Sequence, residues 1–207
     1  MKLYTTAASP FGARVKIQIY KKNLPVEIMP PPGGMGSAEL KRLSPTAKIP
    51  VLNVEDLIIV ESEIIQEYLE DKYPKASLRG DTAETTALIR TLSRITDIYL
   101  VPALQPFRSY LKGADEKREN LHKGIEDLQQ IFTLYEYFIT GNNFVIADKL
   151  SLADCAMAPL FYYLRYFSKV IDVDLGLSDY PKLINWEANI RKDNAVDRVL
   201  QEIEATR

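Results

Sequence analysis

Apolar and polar positions follow two rhythms along this chain, and the change from one to the other falls at a proline. Up to about residue 75, short apolar runs of strand length are interleaved with stretches of helical period. Leu3 to Thr6 reads as a strand, Gly12 to Lys22 as a helix with Phe11, Val15 and Ile19 on one face, and Val26 to Met29 as a second strand. The segment Pro30-Pro31-Pro32-Gly33-Gly34-Met35-Gly36 opposes regular structure, since its prolines lack amide hydrogens and its glycines lack backbone restraint; a mobile loop is expected there. Ser37 then caps a short helix running to about Leu43. Val51 to Val54 and Leu57 to Val60 form a hairpin around Glu55-Asp56. A helix starts at Ser62, places Ile64, Ile65, Tyr68 and Leu69 on one face, and ends at Lys72-Tyr73-Pro74, where the proline disfavours a helical predecessor.

Beyond Pro74 the period is helical throughout. Leu88, Leu92, Ile95 and Tyr99 form one stripe, and Leu121, Ile125, Leu128, Phe132 and Tyr135 another. Pro102 and Pro106 should kink or end the first long helix, Gly141-Asn142-Asn143 should end the second, and Asp193-Asn194 should separate the last two. Ser151-Leu152-Ala153-Asp154 is a reciprocal capping box with Leu150 and Cys155 as its hydrophobic staple, a folding element contributing roughly 1 kcal/mol or more. The chain thus divides into an α/β domain over 1–75, a linker over 76–83 and an all-helical domain over 84–207.

Composition narrows the function more than the fold. At 207 residues the chain can bury a sizeable core, and its net charge of −2 from 26 basic and 28 acidic residues is spread without long like-charged blocks. That pattern offers no footprint for nucleic acid or anionic lipid, so neither partner is expected. The apolar run from Cys155 to Leu164 contains Pro159 and is too short to span a bilayer, which points to a soluble, cytoplasmic protein. A lone cysteine, Cys155, and a lone histidine, His122, supply neither a disulfide framework nor the usual zinc ligands, so no metal is expected. His122 lies in Asn120-Leu121-His122-Lys123, a stretch resembling an exposed helix face rather than a catalytic one.

Candidate chemistry gathers in the first 75 residues. In Lys48-Ile49-Pro50-Val51 a proline opens an apolar strand, which suits an edge or a bend, permits a cis peptide and exposes the backbone of Ile49. Glu61-Ser62 sits at a helix start, where amides favour a ligand carboxylate and Glu61 can hold an amine. One extended zwitterionic peptide would satisfy all three groups. Ser9, in Ala8-Ser9-Pro10-Phe11-Gly12, stands before another helix; it either merely caps that helix or donates its hydroxyl to a thiolate carried by the ligand.

Taken together, these motifs resemble the soluble glutathione transferase family over essentially the full chain: a thioredoxin-like domain, a proline-marked linker, then a helical domain. Ser9-Pro10-Phe11-Gly12-Ala13-Arg14-Val15 is similar to the serine motif of the plant tau class and related bacterial members, which implies that Ser9 activates glutathione. The resemblance assigns Lys48, Ile49 and Pro50 to the glutathione cradle and Glu61 and Ser62 to the γ-glutamyl clamp, with strand-like backbone pairing at Ile49. It implies a homodimer in which the helix from Ser62 and the first long helix of the second domain form the interface. It also implies glutathione as co-substrate and transfer of its thiolate to a small electrophile, or reduction of an organic hydroperoxide, in a cleft between the domains. Phe11 should line that cleft; Tyr99, Phe107 and Tyr110 either complete an apolar wall or belong to the helical core. Two departures matter. Ser9 stands where redox-active classes carry cysteine, which argues against disulfide exchange through a protein thiol. The loop near Gly36 lacks the lysine that tau-like members use for the glycyl carboxylate, leaving Lys41 as a substitute. A non-catalytic binding or scaffold protein and a glutathione-dependent isomerase are the alternatives; the double-serine and cysteine signature usual for the isomerase is missing.

Overall fold

In the computed structural model, which describes residues 1–113 and 118–207, the first strands and helices fall close to the apolar runs. They are β1 (Lys2–Tyr4), α1 (Pro10–Lys22), β2 (Glu27–Met29), α2 (Ala38–Leu43), β3 (Val51–Val54), β4 (Leu57–Val60) and α3 (Ser62–Lys72). The sheet has the order β2-β1-β3-β4, with β1 and β2 parallel and the other neighbours antiparallel, the thioredoxin-like α/β arrangement. Its core comprises Leu3, Val15, Ile19, Leu52, Ile65 and Leu69, drawn from both sheet and helices. Within the expected apolar face of α3, Ile65 and Leu69 are buried, whereas Ile64 is 54% exposed. The segment over 30–36 is a run of turns: Gly34 N–H donates to the Pro31 carbonyl, and the Ser37 hydroxyl donates to the Pro32 carbonyl at 2.7 Å while capping α2 at Leu40.

Residues 79–191 make the second unit: α4 (Ala83–Ile95), a π-turn (Thr96–Leu100), α5 (Val101–Ala103), α6 (Gln105–Leu111), α7 (Arg118–Phe138), α8 (Leu152–Ile171), a 3₁₀ turn (Leu177–Asp179) and α9 (Pro181–Ile190). Among the described residues of this unit no strand occurs. The core is strongly aromatic: Phe161 meets Trp186 edge to face at 5.0 Å, and Phe132 and Tyr135 pack beside it. The stripe expected on α7 is buried at Leu121, Leu128, Phe132 and Tyr135. The stripe on α4 shifts. Ile89 is buried in preference to Leu88, and Leu100 in preference to Tyr99. The cause at the second position is the π-turn, where Val101 N–H reaches back to the Thr96 carbonyl; the extra residue rotates the helix face and leaves Tyr99 52% exposed.

The units also divide differently from the expectation of 1–75, 76–83 and 84–207. The first is made of residues 1–78 together with 192–207. The final helix, α10 (Asn194–Glu204), packs on α1, and both halves of that contact carry the reason. Ala195, Val196, Val199, Leu200 and Ile203 bury one face of α10. Lys16 pairs with Glu202, Tyr20 donates to Glu202 at 3.0 Å, Arg198 lies over the Tyr20 ring at 3.8 Å, and Lys21 pairs with Asp193, the cap of α10, at 2.5 Å. Burial, aided by the hydrogen bond to Glu202, raises the Tyr20 hydroxyl above its ordinary pKa. At the other edge of the same unit, Ser77 and Leu78 are held by Glu70, so the start of the expected linker belongs to the α/β unit.

Candidate functional site

Sheet register gathers the chemistry-bearing segments. Tyr4 pairs with Met29 on one side and Val51 on the other, and Val51 pairs with Val60. The Ser9 loop follows β1, Ile49-Pro50 precedes β3, and Glu61-Ser62 follows β4, so all three emerge at one end of the sheet. The N-termini of α1 and α3 follow two of them directly. Phe11 is half-buried in the first turn of α1.

Ser9 is the N-cap of α1, and its Oγ accepts from Gly12 N–H at 3.0 Å. Capping uses an acceptor lone pair and leaves the hydroxyl proton able to donate, so the cap leaves room for the second role considered for Ser9. Pro10 at N1 removes one amide hydrogen, and the first turn carries no acidic side chain, which keeps that helix end hospitable to an anion. Gly12 is fixed by space: a Cβ there would lie 1.8 Å from Thr5 Oγ1, because α1 crosses close to the end of β1.

The Ile49-Pro50 peptide is cis, as the sequence allowed. β3 is an interior strand, so Pro50 serves a bend and not an edge; the ladder begins at Val51, and Ile49 lies beyond its last rung. Pro50 is buried, Ile49 half-buried and Lys48 exposed. Glu61 has φ 68° and ψ 117°, a backbone that a non-glycine residue adopts at a cost of about 1–3 kcal/mol and that concentrates at functional sites. Its side chain makes no capping bond to α3 and is exposed. Ser62, buried at N1 of α3, accepts from Arg14 Nη1 at 3.2 Å.

That last contact belongs to a polar ladder that the sequence reading does not anticipate. Arg14, Gln18 and Lys22 stand four apart on α1, and Ser62, Gln66 and Glu70 four apart on α3, so each set forms a single row. Gln66 Nε2 donates to the Arg14 carbonyl at 3.1 Å, and Gln18 Nε2 donates to the Gln66 carbonyl at 3.0 Å and to Glu70 Oε1 at 2.8 Å. Lys22 Nζ donates to Glu70 at 2.7 Å, with both side chains at most 2% exposed. The four-residue spacing was the available signal; it reads equally well as a solvated helix face until the partner row is known.

The remaining expected residues lie in the helical unit, save one. Tyr99 is exposed, Tyr110 half-buried on α6, and Phe107 wholly buried with its ring close to the backbone of Gly124. His122 is exposed on α7, and Lys41 is exposed on α2 of the α/β unit. Among the described residues no group of three or more His, Cys, Asp or Glu side chains is placed to hold a metal ion, and no helix is long and apolar enough to cross a membrane.

In the helical unit the Ser151–Asp154 box is closed, with Asp154 accepting from Ser151 N–H at 2.8 Å and Ser151 Oγ at 2.6 Å. Asp154 also accepts from Val145 N–H at 3.0 Å and Trp186 Nε1 at 2.8 Å, so one carboxylate joins a cap, a loop and the aromatic core. Complete burial pushes its carboxyl up to about 6, against the opposing pull of those four bonds.

Comparison with known proteins places both units. Residues 3–77 match the family model described as "Glutathione S-transferase, N-terminal domain" and residues 95–194 that described as "Glutathione S-transferase, C-terminal domain". The chain is 28% identical over 167 residues to a stringent starvation protein A homolog of Coxiella burnetii, spanning 80% of this chain and 77% of that protein. It is 26% identical over 197 residues to glutathione S-transferase F13 of Arabidopsis thaliana, spanning 90% and 88%. Among solved structures, the holo form of a bacterial maleyl pyruvate isomerase, a zeta-class glutathione S-transferase, superposes with TM-score 0.78 at 25% identity, covering 96% of each chain.

Proposed function

Since this chain belongs to the glutathione S-transferase family, we propose that it is a serine-type transferase that binds reduced glutathione along its α/β unit and joins the glutathione thiolate to a small electrophile. The observation that carries this reading is the common rung Met29-Tyr4-Val51-Val60, which brings the Ser9, Ile49-Pro50 and Glu61-Ser62 segments to one end of the sheet. Backbone groups of Ile49 pair with the cysteinyl unit in strand fashion, beside Lys48 and Pro50. Glu61 holds the γ-glutamyl ammonium, and Ser62 with the first amides of α3 holds its carboxylate. The glycyl carboxylate is left to Lys41.

The thiol proton passes to solvent, and the Ser9 hydroxyl donates to the sulfur anion at the amide end of α1, which lowers the thiol pKa from its free range near 8.5. Sulfur then forms a bond to the electrophilic carbon, and the displaced group leaves with its electron pair. Two glutathione molecules would in the same way reduce an organic hydroperoxide to alcohol and water, leaving glutathione disulfide. Phe11 supplies an aromatic surface for the apolar substrate, while wholly buried Phe107 serves the packing of the helical unit. The active form is a homodimer in the cytoplasm, with α3 and the α4 region contributing exposed Ile64 and Ile98 to the subunit contact.

Ser9→Ala tests the assignment. Turnover of a generic aromatic electrophile should fall about 10²-fold while the glutathione dissociation constant changes little. Equal losses in both would refute the role given to Ser9. The isomerase reading gains from the relation to the maleyl pyruvate isomerase. Thiolate addition to a cis-unsaturated diacid, bond rotation and elimination would return the glutathione unchanged, so product formation without glutathione consumption would favour it. Retention on immobilised glutathione with neither activity would favour the scaffold reading.

A further inference from the structure

The top rung of the polar ladder has a consequence for ligand binding. A serine hydroxyl carries one donor and two acceptor sites, whereas a guanidinium can only donate. Ser62 therefore accepts from Arg14, and its own proton must point elsewhere. Arg14 is 2% and Ser62 6% exposed, so the contact is shielded from water and the guanidinium charge acts on the hydroxyl with little screening. A hydroxyl whose oxygen is held by a cation is also a stronger donor. The lower rungs set the alignment: Gln66 holds the Arg14 carbonyl, and Gln18 and Lys22 anchor Gln66 and Glu70 one and two turns further along.

We propose that Arg14 is a positioning residue for ligand recognition, orienting the Ser62 hydroxyl so that its proton faces the α-carboxylate of the γ-glutamyl unit. The inference rests on the glutathione reading above and adds a residue that touches no ligand. It predicts that the contribution of Ser62 to affinity exists only while Arg14 is present, and that the thiol at the other end of the ligand is indifferent to both.

The test is calorimetric titration of reduced glutathione into the full chain and into Arg14→Gln, Arg14→Lys, Ser62→Ala and the Arg14→Gln/Ser62→Ala double variant. The ultraviolet absorbance of the bound thiolate is followed against pH in each. Arg14→Gln and Ser62→Ala should each weaken binding about tenfold, the double variant should be no weaker than the weaker single one, and Arg14→Lys should recover part of the loss. The bound-thiol titration should stay at its wild-type position in all four. Unchanged affinity in Ser62→Ala, losses that multiply in the double variant, or a displaced thiol titration would overturn the proposal. If Arg14→Gln does not fold, the cycle is run with Arg14→Lys, for which additivity with Ser62→Ala is the contradicting result. Failure of the unaltered chain to bind glutathione would bring down the functional reading itself, whereas binding that ignores Arg14 removes only this inference.

Discussion

Ser9 closes a helix with an oxygen that accepts from Gly12 while keeping a proton to give, the proton on which the proposed reaction depends. The arrangement depends on Gly12, because any side chain there meets buried Thr5. Gly12→Ala should therefore destabilise the chain by about 1–3 kcal/mol through overpacking, measured by denaturant unfolding, and adding Thr5→Ala should recover most of it. A Gly12→Ala variant of wild-type stability would show that the helix and strand have room to separate. At this scale the sequence was informative where the signal is local. Caps at Ser9, Ser37 and Ser151 and the cis bond before Pro50 are properties of a few consecutive residues, and each stands where the pattern put it. The positive φ of Glu61 was not legible, since nothing in a glutamate announces a backbone imposed by its neighbours.

At the scale of elements, Asp154 makes the capping of α8 sensitive to pH. Its ordinary value is 3.8 and its folded value about 6, so between them the folded chain keeps a proton that the unfolded chain has released, and stability falls as pH rises through that window. The loss is about 3 kcal/mol if the full difference is expressed. Asp154→Asn cannot titrate, so its penalty relative to wild type should be largest near the lower value and shrink towards neutrality; denaturation midpoints across that range measure it. A penalty that grows with pH would mean that the ionised carboxylate is what the four donors hold. The hairpin of β3 and β4 and the start of α8 at its cap Ser151 were legible because hydrophobic period and turn or capping residues agree. The face of α4 was not: an inserted π-turn breaks the period, so Tyr99, counted into the apolar stripe, emerges at the surface. The ladder between α1 and α3 stayed hidden for a related reason, since Gln18 and Gln66 look solvated until a partner row four residues apart is brought against them.

At the scale of the molecule, the chain returns to where it began. α10 closes over α1 through Lys16, Tyr20 and Lys21, and this long-range pairing has no local signature; its period correctly marked a helix without saying which unit would receive it. Deleting residues 192–207 should strip amide protection from α1 and α3 in hydrogen exchange while α7 and α8 keep theirs. Equal loss in both units would mean that α10 supports the whole chain. The central claim, a glutathione thiolate steadied by the Ser9 hydroxyl, is tested most directly by titrating the thiol of bound glutathione against pH in the wild-type chain and in Ser9→Ala. The account predicts ionisation well below the free-thiol range near 8.5 in wild type and a return towards it in Ser9→Ala. A bound thiol that titrates at its free value, or no saturable binding at all, would contradict it.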